Sequence, residues 1–207
     1  MKIVLFVEGK TEKELPPFLK RWLDPQIPQH KQIGIQAVRF EGVNHFLENV
    51  SIKANLHLAS KDTIAIFGLL DLYGLILDYP KHADRDQKIT FARAEITRRI
   101  DAANRPRFRQ HFAVHETEAW LLSDTRLFPA VTLPANCARP EEVDFDEPPS
   151  KLLDRLFSQD RGRGYKKVTM ARNLLPKLDP MLVYQKCPNF KLMMDEMLDI
   201  ARKATMV

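Results

Sequence analysis

Four carboxylates in this chain stand directly behind runs that bury readily. Glu8 follows K-I-V-L-F-V, Asp71 follows the apolar run that begins at Thr63, and Glu116 and Glu118 follow Arg107–His115 in the string H-E-T-E-A-W. Hard divalent cations such as Mg²⁺ or Mn²⁺ take oxygen ligands, one or two carboxylates at a time, with water and substrate phosphates completing the shell. Acids this far apart in sequence can share one ion, or divide one acid–base step, only where the fold brings their elements to a common edge. Each also has a plainer use. Glu8 can receive amides at a helix start, Asp71 can cap the turn behind it, and one of Glu116 and Glu118 is a helix-start acid that favours the helix dipole.

The elements that would position these acids are legible from hydrophobic period. Lys2–Val7 reads as a buried strand, Ile33–Phe40 as a second, Asp62–Leu70 as a third and the most apolar, and Arg107–His115 as a fourth. Between them, Thr11–Leu23, Asn44–Ser60 and Gln87–Ala103 carry apolar residues at helical spacing, and Glu116–Asp124 starts another helix. Thr11 and Glu14 have the S/T-x-x-E pattern of a capping box. Such alternation predicts an α/β fold with a mainly parallel sheet of about four strands flanked by helices, Rossmann-like in kind. In open sheets of this kind ligands sit at the carboxyl ends of the strands, where the four acids fall. The expected organisation is an α/β domain over 1–128, a Pro-rich acidic loop over 129–149, and a helical C-terminal extension over 150–207 packed on the same core. The predicted helices of the extension are Lys151–Phe157, Val168–Leu178, Pro180–Gln185 and Asn189–Ala204.

Composition narrows the class. The 207 residues are 44% hydrophobic and 29% charged, which excludes disordered, collagen-like and coiled-coil chains. The longest apolar stretch, Thr63–Leu77, is interrupted by Asp71 and is too short for a membrane span. The apolar run at the start ends at Glu8, unlike a signal peptide. Cys137 and Cys187 have neither metal-ligand spacing nor a disulfide framework, so they are expected to be reduced thiols in a cytoplasmic protein without membrane partners. Gly9-Lys10-Thr11 lies between a strand and a helix like the end of a phosphate-binding loop. The first glycine of that motif would fall on Val4, inside the strand, so a P-loop is excluded.

The net charge of +5 is unevenly distributed. Lys81–Arg109 and Arg155–Arg172 each carry +5, while Ala135–Asp154 carries −4. The second basic stretch contains R-G-R-G-Y-K-K. Arg161, Arg163, Lys166 and Lys167, with Lys10 near the first strand end, are candidates to neutralise phosphates, and Tyr165 is a candidate to stack on a base. A solvated loop is the alternative for this segment, and an exposed helix face for Arg93, Arg98 and Arg99. The acidic loop is expected to be solvated. Met193, Met194 and Met197 suit either core packing or an adaptable partner face.

Taken in order, V-E-G-K-T-E (Val7–Glu12), D-L-Y-G and D-Y-P (Asp71–Gly74, Asp78–Pro80), H-E-T-E-A-W-L-L-S-D (His115–Asp124), G-Y-K-K (Gly164–Lys167) and C-P-N-F (Cys187–Phe190) resemble a Toprim-like family of unknown function. That family lies within the Toprim superfamily of topoisomerases, primases and OLD-type nucleases. The resemblance implies a Toprim-like fold and a metal-dependent nuclease acting on DNA or RNA with Mg²⁺ or Mn²⁺. In this chain Glu8 would do the acid–base work and Asp71 would be a metal ligand. It also implies a bacterial setting, SMC- or ABC-type ATPases as neighbours and partners, and a role in antiphage defence. The second Asp of the superfamily's Asp-x-Asp falls on Tyr73. Asp78, Glu116 or Glu118 would have to supply the missing oxygen, or the chain is a catalytically weak partner subunit of an ATPase. Tyr73 itself either stacks on a base, donates to a phosphate, or covers the sheet edge half-buried.

Overall fold

A computed structural model describes residues 1–9, 12–114, 117–128, 133–141, 148–161 and 173–205. Four parallel strands form one sheet: β1 (Lys2–Val7), β2 (Gly34–Arg39), β3 (Thr63–Asp71) and β4 (Phe108–Ala113), in spatial order β2-β1-β3-β4. Strand β1 is central and Ile3–Val7 are fully buried. Its side chains alternate between two cores, Ile3, Leu5 and Val7 on one face and Val4 and Phe6 on the other. A strand covered on both faces must be apolar throughout, which is why the run reads as unbroken.

Helix α1 (Leu15–Leu23) lies on the first face and buries Leu15, Phe18, Leu19, Trp22 and Leu23. Helices α2 (Val43–Leu58) and α3 (Arg85–Arg99) cover the other, through Phe46, Val50, Ala54 and Leu58 and through Ile89, Ala92 and Ile96. The α3 helix starts two residues before its apolar period, because Asp84 accepts from the Gln87 N–H (2.8 Å) while Gln87 Oε1 accepts from the Asp84 N–H (3.0 Å). The capping box read at Thr11 falls on a residue outside the described ones. A 3-10 turn covers Glu12–Glu14, α1 begins only at Leu15, and its N-cap Glu14 makes no side-chain cap bond. Pro16 and Pro17, in the first turn of α1, have no N–H to leave unsatisfied there.

Beyond β4 come α4 (Glu118–Leu121), α5 (Pro149–Arg161), α6 (Pro180–Lys186) and α7 (Pro188–Thr205). Helix α7 packs on β3, β4 and α1. Its Phe190, Met193, Met194, Met197 and Ala201 join the core that holds Ile3 and Phe18, so the methionines offer no free partner face. Glu196 of α7 meets buried His111 of β4 at 3.0 Å, and His111 stacks on Phe67. The stretch 168–172 of the predicted Val168–Leu178 helix lies outside the described residues; 173–174 are helical and a turn follows. No helix among the described residues is long and apolar enough to cross a membrane.

Two readings of charge change here. Most arginines of the first basic stretch are bound to the main chain, while exposed Arg98 pairs with the Glu95 carboxylate (2.6 Å). Arg107 donates to the Leu58, Thr63 and Ile64 carbonyls, Arg105 to Ile100 and Arg98, Arg109 to Pro106 and Phe108, and Arg93 to Gln110. The Arg107 contacts tie down the start of β3, at the amino edge of the sheet and opposite the strand-end acids.

The acidic loop, in turn, is not wholly solvated. Cys137 and Glu141 are buried, and burial pushes both cysteine thiols above their usual range. Glu141 Oε1 accepts from Trp120 Nε1–H (3.1 Å) and Oε2 from the Asn189 N–H (2.7 Å), while Arg85 holds its carbonyl (2.8 Å). These hydrogen bonds favour the carboxylate, but burial outweighs them and raises Glu141 from the usual 4.5 to about 7. Below pH 4.5 the folded and unfolded chains are both protonated at this residue. Between 4.5 and about 7 only the folded chain keeps the proton, so stability falls as pH rises through that window and levels above it. The fall is on the order of 3 kcal/mol at about 1.4 kcal/mol per unit. Urea unfolding across the window is expected to show it, and Glu141→Gln to flatten it.

Candidate functional site

The chain leaves β1 for β2 on one side and reaches β3 and β4 on the other, so a topological switch point lies between β1 and β3. A crevice forms at such a point beyond the carboxyl ends of the strands. Val7 pairs with Leu69 and Asp71 with Ala113, so Glu8, Asp71 and the segment after β4 all come to this edge. Asp71 ends β3 half-buried. Leu69 and Leu70 belong to opposite cores, so strand alternation puts Asp71 on the Leu69 side, the face of α1. Glu8 is half-buried just past β1, Asp78 is exposed in the β3–α3 connection, and Glu118 is buried at the first position of α4.

The tightest assembly of acids involves a residue not picked out from the sequence. Glu12, on the 3-10 turn before α1, is only 7% exposed and Glu118 only 1%. Buried Thr117 lies between them, its Oγ1 3.4 Å from Glu12 Oε1 and 3.4 Å from Glu118 Oε2. One hydroxyl proton faces two carboxylate oxygens, one from the next residue and one from 105 residues away. Burial strengthens the repulsion between two carboxylates, and a cation or a shared proton offsets it. Glu118 is therefore a helix-start acid and also a member of the buried pair. The signal for Glu12 was present, since it stands four residues behind Glu8 in the same string, but its burial depends on the turn rather than on a helix.

The surroundings keep this pair in place. A Cβ built on Gly9 would lie 2.4 Å from Glu12 Oε2, so the missing side chain makes room for the carboxylate. All four residues of α4 are buried, and Trp120 packs between Phe18 of α1 and Phe190 of α7. Just beyond, buried Asp124 accepts two bonds from the Arg126 guanidinium (2.8 and 2.7 Å) and one from the Asp179 N–H. The hydrogen bonds from the Arg126 guanidinium hold Asp124 below its usual range.

Among the described residues no group of three or more His, Cys, Asp or Glu is close enough to hold a metal ion. The pair Glu12 and Glu118 still fits a hard cation, because its donors are all carboxylate oxygens and two carboxylates suffice when water and phosphate supply the other ligands. Glu116 and Lys10 lie outside the described residues, as do Arg163, Tyr165, Lys166 and Lys167; Arg161 ends α5, but its side chain is outside them too.

Comparison with known proteins accords with this geometry. The model of the family described as Domain of unknown function (DUF4276) matches residues 7–198. No curated protein matches. Among solved structures, the C-terminal region of the Burkholderia pseudomallei OLD protein aligns over 98% of this chain and 98% of its own, at 17% identity and a TM-score of 0.50. That likeness shows the fold, the one the strand order and the OLD-type resemblance led us to expect.

Inserting a methyl group at Gly9 tests the local geometry. Gly9→Ala is expected to lower stability by about 1–3 kcal/mol through overpacking. In a Glu12→Ala background the same change should cost little, because the atom it meets is gone. Thermal unfolding of the four chains in this double-mutant cycle measures the coupling.

Proposed function

The chain belongs to the DUF4276 family, and we propose that it is a metal-dependent phosphodiesterase of Toprim type acting on nucleic acid. The observation that carries this reading is the buried Glu12–Thr117–Glu118 cluster at the β1/β3 switch point, beside Glu8 and Asp71. Glu12 and Glu118 would hold Mg²⁺ or Mn²⁺ with water and phosphate completing the shell, and Asp71, on the same face of the sheet, would act through a coordinated water. A bound cation of that kind stabilises charge on a phosphate and its leaving oxygen and lowers the pKa of a coordinated water. Glu8, half-buried just past β1, would take or return a proton at the attacking or departing oxygen. Thr117 holds the two carboxylates in register. Asp78 stands farther out on the connection and Glu116 next to Thr117 in sequence, each a further oxygen donor. The basic stretch around Arg161, Arg163, Lys166 and Lys167, with Lys10 beside the site in sequence, would neutralise the phosphates on either side of the cut, with Tyr165 against a base. The OLD likeness supports the reading at the level of the fold.

The assay is hydrolysis of single-stranded DNA, duplex DNA and RNA by the purified chain with Mg²⁺ or Mn²⁺. Glu118→Gln, Glu12→Gln and Asp71→Asn are each expected to lower the rate at least about 100-fold while circular dichroism stays unchanged, and Glu8→Gln to do the same through loss of proton transfer. Full activity in the Glu118→Gln and Asp71→Asn variants would overturn the assignment.

A further inference from the structure

The two edges of the sheet are finished differently. At β4, side chains occupy outward carbonyls: Arg109 Nη1 donates to that of Phe108 (2.9 Å) and Arg93 Nε to that of Gln110 (3.1 Å). Charged side chains of this kind blunt an edge against a further strand. At β2 the edge is open. The Gly34 and Phe40 N–H groups donate to the Met1 and Val7 carbonyls (3.0 and 2.8 Å). Strand alternation therefore turns the main-chain groups of Gln36 and Val38 toward β1, and those of Ile35, Ala37 and Arg39 outward. Among the described residues no hydrogen bond reaches these outward groups. The strand has no proline and no bulge against β1, and it runs for about 20 Å. Such an edge is a template for another strand.

The side chains along the edge identify the strand that fits. Ile35 packs on the α1 core and Val38 on the α2/α3 core, so Ile35, Ala37 and Arg39 share the α1 face. Beside Ile35 that face opens into a groove of about 550 Å³ walled by Pro16, Pro17 and Pro25. Lys20 and Asp24, paired at 2.8 Å, line the same groove. At the other end of the strand Arg39 pairs with exposed Glu41 at 3.6 Å. We propose that β2 pairs antiparallel with β2 of a second copy about a two-fold axis at Ala37, joining two four-stranded sheets into one of eight strands. This register uses all three outward residues: Ala37 meets its counterpart, and Ile35 meets Arg39 of the other copy. Residues so paired exchange both main-chain bonds, and alanine at the axis leaves room for its twin. The antiparallel direction carries the Arg39–Glu41 end of each copy to the groove of the other. There the guanidinium is offered Asp24 and the Glu41 carboxylate is offered Lys20. A two-fold repeats this match at both ends and closes the assembly at two chains. A parallel partner copy would instead set Arg39 beside Arg39.

Sedimentation velocity of the full chain across micromolar concentrations is expected to show a dimer. Proline at this position removes an outward N–H and leaves the pairing with β1 intact. Ala37→Pro is therefore expected to raise the dimer Kd at least about 10-fold with an unchanged circular dichroism spectrum. Ala37→Lys and Ala37→Glu each set like charges opposite one another at the axis and are expected to weaken association, whereas an equimolar mixture of the two regains it. Recovery in the mixture cannot come from misfolding, so it decides the matter where Ala37→Pro fails to fold. Amide exchange reads the same contact directly, with the Ile35, Ala37 and Arg39 N–H groups more protected in the dimer than at dilutions that dissociate it. A chain that stays monomeric, with or without another protein's strand at β2, would overturn the pairing. So would a dimer indifferent to all three substitutions, a mixture no more associated than its components, or outward amides that gain no protection.

Discussion

A parallel sheet has only one edge at which its strands end, and the rest of this structure follows from that constraint. Strand β1 is buried on both faces from Ile3 to Val7 and can carry no charge along that length. Polar chemistry is therefore excluded from β1 until Glu8 and from the apolar run of β3 until Asp71, whereas β4 carries Gln110 and a buried His111 that Glu196 meets. The order β2-β1-β3-β4 then brings these ends around one switch point. Exclusion of charge from the strands and its convergence at their ends are one physical effect. The helices only complete it: α1 brings in Glu12 through the turn before it, and the single turn of α4 fixes Glu118 by burying Trp120 against Phe18 and Phe190.

Charge elsewhere in the chain does other work. A net +5 suggested a surface for polyanions, yet the guanidinium groups of Arg93, Arg99, Arg105, Arg107 and Arg109 bind carbonyls, those of Arg105 and Arg107 at the amino edge of the sheet. Arg21 does the same on the opposite face, donating to the carbonyls of Leu175, Pro176 and Leu178 where a helical turn leaves them without intrahelical partners. A planar guanidinium can serve several acceptors at once, which suits it to chain ends and turns. Formal charge counts sites that repel or attract at a distance, while the positions of these arginines are explained by short-range hydrogen bonding.

How much of this was legible in the sequence depends on the range of the interaction concerned. The four strands were read within two residues at every end, because a doubly covered strand leaves a continuous apolar record. Helices α2 and α3 were read from their spacing, though α2 ends two residues early, at Leu58, and α3 starts two residues early, at its capping box, and ends at Arg99, four residues short of Ala103. Glu8, Asp71 and Glu118 could be placed because they sit at strand ends. Glu12 could not, since its burial comes from Thr117, more than a hundred residues away, and from the space left by Gly9. Glu141 was hidden for the same reason. A Pro-rich acidic stretch looks solvated by composition, and the donors that hold this carboxylate, Trp120 and Asn189, belong to other elements.

The absence of a second aspartate on β3 is the point at which these strands of argument meet. An acid at position 73 would stand beside Asp71 on one connection and offer a cation two ligands from a single strand. With Tyr73 there instead, β3 offers one carboxylate, and any further acids at this edge come from the segments that follow β1 and β4. Glu12 and Glu118 do come from those two directions, and they are buried where Tyr73 is exposed. Moving charge inward and an aromatic ring outward is a coherent exchange. A buried carboxylate pair attracts a cation more strongly than an exposed one, because water screens it less.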